Sequence, residues 1–67
     1  MSETRTFTVT GMTCAHCVAS VTEEVQEVAG VETVDVVLDT GSLTVMGEGL
    51  DDARIRDAVE EAGYQLA

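Results

Sequence analysis

Proline, tryptophan and lysine are absent from this 67-residue chain, and its only large rings are Phe7 and Tyr64. With aromatics at 3% and an apolar share of 45%, any core must be built from Val, Leu, Ile and Ala. Length allows one compact domain over residues 1–67, because single cores become marginal below roughly 60 to 70 residues. No run of about 18 apolar residues is present, so no membrane helix and no direct membrane insertion is expected. Met1 to Thr10 alternate polar and apolar with no unbroken apolar stretch, so no signal peptide is expected. The expected location is therefore cytoplasmic, where thiols stay reduced and a close cysteine pair is more often a metal or redox site than a staple.

Positive charge is equally scarce. Thirteen acidic residues face three arginines, for a formal charge of −10 at pH 7. Such a surface repels nucleic acid and anionic lipid, so neither is expected as a partner. The acids are interleaved with periodic apolar residues and read as solvated faces of a folded domain rather than as a disordered tail. They also suggest halophilic adaptation, since at about 1 M salt the Debye length falls to about 3 Å and self-repulsion is screened. An ordinary acidic protein without lysine is the alternative.

Periodicity supplies the elements. Arg5 to Thr10 alternate, with Phe7 and Val9 on one face, as in a half-buried strand. From Cys17 the spacing lengthens to three and four through Val18, Val21, Val25 and Val28, which predicts a helix closed by Gly30 after Ala29. Valine is a mediocre helix former, so this helix must be held by packing on a sheet. Val31–Asp39 and Ser42–Met46 alternate again around an Asp39-Thr40-Gly41-Ser42 turn and make a hairpin. Leu50, Ile55, Ala58, Val59 and Ala62 form a second helical stripe, with Asp51 as N-cap and Leu50 and Ile55 as a hydrophobic staple. Gly63 ends that helix and Tyr64-Gln65-Leu66 forms a final short strand. The order βαββαβ implies an α/β sandwich of the α+β, ferredoxin-like kind: a four-stranded antiparallel sheet with both helices on one face.

Cysteine is the last scarce residue and the most informative. Both cysteines, Cys14 and Cys17, lie where the first strand gives way to the first helix. Residues three apart on a helix lie about 5 to 6 Å apart at Cβ, which lets two sulfurs share one ion. With metal–sulfur bonds of about 2.3 Å or slightly less, a nearly linear unit needs its sulfurs roughly 4.5 Å apart. Soft thiolates select Cu(I), with Zn(II) as the main competitor. The open N–H groups and positive dipole end of the helix favour the sulfur anion, above all at Cys17 in the first turn. A zinc site normally takes four ligands, whereas this chain offers two cysteines and one histidine. A two-coordinate ion in a solvent-facing loop leaves room for an incoming thiolate, so the geometry suits transfer. No catalytic constellation accompanies the pair, and no enzyme activity is assigned. The competing readings are a redox disulfide and a pair of plain small hydrophobes. A thioredoxin-like use needs a larger fold and usually a nearby proline.

Four neighbours are candidates for shaping the site. Met12 is read as a core filler in preference to a thioether ligand. His16, between the cysteines, points to solvent, with a third-ligand or transfer-assisting role as the alternative. Thr13 is read as a capping hydroxyl at the helix start. Tyr64 reads as a core ring of the last strand.

Gly11-Met12-Thr13-Cys14-Ala15-His16-Cys17, together with Val28-Ala29-Gly30-Val31, Val34, Val36 and Gly63-Tyr64, resembles the heavy-metal-associated domain over essentially the whole chain. That family includes small cytosolic copper chaperones and the amino-terminal metal-binding domains of copper-transporting P-type ATPases. The resemblance implies the ferredoxin-like fold and Cu(I) held by Cys14 and Cys17. It implies a metallochaperone that passes copper by thiolate exchange to a copper-transporting P-type ATPase or other copper-handling protein, as a monomer or a metal-bridged dimer. It also implies that Met12 tucks beneath the loop and that Tyr64 shields it. Alternatives are an excised ATPase domain, a thiol–disulfide oxidoreductase and a Zn, Cd or Hg handler. The departure is electrostatic: such chaperones often carry lysines near the loop, and this chain has none, so short-range contacts are expected to decide recognition.

Overall fold

The computed structural model describes residues 2–67. Its elements are β1 (Glu3–Thr10), α1 (Ala15–Gln26), β2 (Val31–Val37), β3 (Ser42–Gly47), α2 (Asp52–Glu61) and β4 (Gln65–Leu66). The sheet order is β2-β3-β1-β4, and every neighbouring pair is antiparallel. This is the expected ferredoxin-like sandwich.

The core shows why weak helix formers suffice. Val21 and Val25 of α1 and Ile55, Ala58 and Val59 of α2 close on Val9, Leu43 and Val45 of the sheet. All eight are buried. Valine in α1 is thus held by removal of its branched side chain from water, at roughly 25 cal/mol per Å² of apolar surface, and not by propensity.

Some boundaries differ from the expected ones. The first helix stops at Gln26, three residues before Ala29, and its exit is a chain of tighter bonds: Glu27 N–H to Glu24 O at 3.2 Å, Val28 N–H to Val25 O at 3.1 Å and Val31 N–H to Val28 O at 3.2 Å. Val28 still packs on the core, so its place in the apolar stripe is served from a turn. The second strand ends at Val37 and not Asp39, and a register shift between Val31 and Thr33 leaves Glu32 as the extra residue of a bulge.

The end of the molecule remote from the cysteines is tightly fixed. Gly30, at φ +87°, accepts the Glu48 N–H on its carbonyl at 2.9 Å. A Cβ on Gly30 would collide with the Glu48 carbonyl oxygen, and one on Gly47 with the Gly30 carbonyl oxygen. Nearby, Glu3 Oε1 accepts the Leu50 N–H at 3.1 Å, and Asp51 caps α2 by accepting the Ala53 N–H at 3.0 Å. Arg5 Nε stands 3.5 Å from Asp52 Oδ1, an exposed pair of the kind that contributes little. Among the described residues no helix is long and apolar enough to cross a membrane.

Candidate metal centre

β1 ends at Thr10, and Gly11 turns the chain at φ +90°. Three residues later Cys14, at φ −158° and ψ 169°, is the N-cap of α1. Its carbonyl accepts the N–H groups of Cys17 at 3.0 Å and Val18 at 3.4 Å. No side chain caps this helix, and its first turn holds no acid. Both thiols are free, Cys14 exposed and Cys17 half-buried, with their sulfurs 3.5 Å apart. A nearly linear bridge needs roughly 4.5 Å between sulfurs, so the pair stands somewhat closer than such a bridge requires.

The two thiols are not equivalent. The Cys17 thiol is lowered from 9.0 to about 6, first by a backbone hydrogen bond from Thr13, then by the Tyr64 hydroxyl and the Cys14 thiol as donors, against an opposing effect of burial. Cys17 is therefore mostly thiolate at neutral pH, the form that binds metal. Tyr64 responds in the opposite sense: its hydroxyl is raised above 10.0 because it donates to the Cys17 sulfur, loses solvent and sits beside sulfur charge.

Tyr64 owes its place to the end of α2. Gly63, at φ +96°, donates its N–H to Glu60 O at 2.9 Å, and Tyr64 donates to Val59 O at 3.1 Å, the bond pair of a Schellman turn. That turn sends Tyr64 back to the cysteine loop, where a Cβ on Gly11 would lie 3.5 Å from its Cδ1. The ring also packs against the core. Both readings of Tyr64, core ring and neighbour of the loop, thus hold together, and β4 is correspondingly shorter than expected, Gln65–Leu66.

Met12 is half-buried against the core, in keeping with a filler. Thr13 does not cap the helix as expected, since Cys14 is the N-cap and no side chain serves it. The Thr13 hydroxyl instead lies 4.0 Å from Cys17 Sγ. His16 is exposed, and its carbonyl accepts the Ser20 hydroxyl at 3.3 Å. Among the described residues no group of three or more His, Cys, Asp or Glu is placed to hold a metal. His16 is thus not gathered with the sulfurs, and a closed four-ligand zinc site is not formed within one chain. The missed feature is the Thr13 N–H beside Cys17, whereas the turn at Gly63 and the nearness of Tyr64 to the loop were anticipated.

A split βαβ sandwich that presents two neighbouring free sulfurs at its first strand-to-helix loop has the make-up of a metal-carrying domain. Residues 6–65 match the heavy-metal-associated domain, and the chain belongs to that family. It is 39% identical over 67 residues to the copper chaperone CopZ of Bacillus subtilis (strain 168), with 97% of each chain covered. It is 40% identical over 58 residues to a zinc/cadmium/lead-transporting P-type ATPase of Shigella sonnei (strain Ss046), covering 87% of this chain and 8% of that one. A solved CopZ metallochaperone superposes with a TM-score of 0.92 at 28% identity, covering 97% of this chain and 100% of that one.

Proposed function

We propose that this chain is a cytoplasmic Cu(I) metallochaperone in which Cys14 and Cys17 hold one Cu(I) and pass it by thiolate exchange to a copper-transporting P-type ATPase or other copper-handling protein. The observation that carries the reading is the pair of free sulfurs 3.5 Å apart, one exposed and the other half-buried. The low coordination number and soft donors favour Cu(I) over hard cations. An acceptor thiolate adds to the exposed side, gives a three-coordinate ion, and displaces first Cys14, the sulfur outside the helix. Full-length similarity to a copper chaperone supports a carrier, and P-type ATPases contain a domain of this kind as a small part.

A second reading, handling of Zn(II), Cd(II) or Pb(II), is favoured by the 40% identity to a transporter of those metals. It requires ligands from outside the pair. Anaerobic titration of reduced protein with Cu(I), in competition with a Cu(I) chelator and then with Zn(II), tests both. One equivalent of Cu(I) held against excess Zn(II), and lost in Cys14→Ser and Cys17→Ser, is the expected result; preference for Zn(II) overturns the copper reading. The same proposal includes a salty interior, motivated by the charge of −10.

A further inference from the structure

The charges of this chain are segregated, and the sulfurs lie in the neutral part. From Thr6 to Thr22 there is no Asp, Glu, Lys or Arg, and there is none from Ala62 to Ala67. The fold brings these stretches to one end: the cysteine loop, the first two turns of α1, the Schellman turn and β4, which pairs Thr10 with Gln65. The exposed residues around the pair are small or uncharged, namely Gly11, Thr13, Ala15, His16 and Ala19. On α1 the first charge is Glu23, about 9 Å along the axis from Cys17 at 1.5 Å per residue. Asp39 in the hairpin turn and Glu60 and Glu61 in the last turn of α2 mark the rim of this cap. The remaining acids lie beyond it, on the helices, the loops and the strands β1 and β2.

We infer that this neutral cap is the docking face for the metal acceptor, and that the acceptor it fits surrounds its own cysteines with uncharged, small or apolar residues in place of the lysines or arginines a −10 protein would attract. The inference rests on the functional reading above and adds the chemistry of the partner. Direct transfer needs donor and acceptor sulfurs on one ion, at bonds of about 2.3 Å, so the surface around Cys14 must be covered and dried while the ion moves. A side-chain charge added to that surface, beyond the charge of the sulfur–metal centre itself, would be buried at a large desolvation penalty. Alanine at 15 and 19 removes both the charge and the bulk that would hold two backbones apart. The acidic body then contributes solubility and not steering, and at high salt its field is screened within a few Å in any case.

The test uses the copper-loaded chain and, as acceptor probe, the amino-terminal domain of a copper-exporting P-type ATPase in two versions, one with a neutral rim around its cysteines and one with two lysines placed there. Transfer is followed by stopped flow at low and molar KCl. Ala19→Glu places a charge in the cap without touching the ligands and is expected to slow transfer to the neutral-rim acceptor about tenfold at both salts. Glu27→Gln, outside the cap, is expected to stay within about twofold, and the lysine rim to give no gain beyond about twofold. Acceleration of tenfold or more by the lysine rim, lost in molar KCl, identifies a basic acceptor steered by the acidic body and overturns the inference. So does an unchanged rate in Ala19→Glu. Cu(I) affinity is read separately against a chelator: failure of the unsubstituted chain to take up copper overturns the functional reading and this one with it, whereas normal uptake with salt-sensitive transfer overturns docking alone.

Discussion

The two helices begin in opposite ways. At the start of α2 the Asp51 carboxylate accepts the Ala53 N–H, and Asp52 lies in the first turn beside the positive end of the helix dipole. At the start of α1 the N-cap is Cys14, with no side-chain bond and no acid in the first turn. Both helices follow a strand and close on the same core, so the difference does not come from the fold. One N-terminus is satisfied by the protein and contributes to stability; the other is left open, and its environment stabilises a sulfur anion. The end that begins α2 is also the end locked by Gly30 and Gly47, whereas the end that begins α1 turns on Gly11 against Tyr64.

Among the positions that separate the two ends, the largest effect on stability is expected at the locked one. Gly47→Ala drives a Cβ into the Gly30 carbonyl oxygen and should lower stability by at least ~2 kcal/mol in denaturant unfolding. An unfolding midpoint unchanged in that variant would remove the contrast in rigidity. Next comes the exchange of caps. Asp51→Ala should cost about 1 kcal/mol, a fall of roughly 4–8 °C in Tm for a domain of this size. Cys14→Asp should do the reverse, raising stability by ~0.5–1 kcal/mol while abolishing metal uptake. If Cys14→Asp destabilises instead, the start of α1 is not an unused capping position.

Melting curves from low to molar KCl should rise by at least about 4 °C, the equivalent of ~1 kcal/mol for a domain of this size. A flat response would remove the case for adaptation to salt. The smallest expected effect concerns charge on sulfur. Absorbance of reduced, metal-free protein near 240 nm should show a first thiolate step at about pH 6, assigned to Cys17. Tyr64→Phe should move that step upward, toward 9.0, because a hydroxyl donor to the sulfur is lost. The sign for stability follows: a thiol depressed from 9.0 to about 6 stabilises the fold fully above 9.0 and progressively less as pH falls through about 6. Stability insensitive to pH between those limits would contradict the assignment.

Much of this architecture was legible in the sequence, because a core of Val, Leu and Ile imposes clear periods of two and of three to four on its elements. The Asp51 cap and the placement of Cys17 in the first helical turn were legible for the same local reasons. The early end of α1 at Gln26 was not, since Val28 fits the helical stripe equally well and only its packing from a turn reveals the difference. The bulge at Glu32 depends on the register against β3, a pairing between distant segments. At the site, the cysteines were legible from their spacing, whereas the role of Thr13 was misread. A threonine before a helix suggests a cap, and only the geometry shows that its backbone N–H bears on Cys17 while its hydroxyl lies 4.0 Å from the sulfur.

The most direct test of the account is X-ray absorption at the copper edge of protein loaded anaerobically with one equivalent of Cu(I). Two sulfur neighbours and no imidazole nitrogen are predicted, with that shell lost in both Cys14→Ser and Cys17→Ser. A nitrogen from His16 in the shell, or a spectrum indifferent to either substitution, would contradict a cargo ion held by the two sulfurs alone.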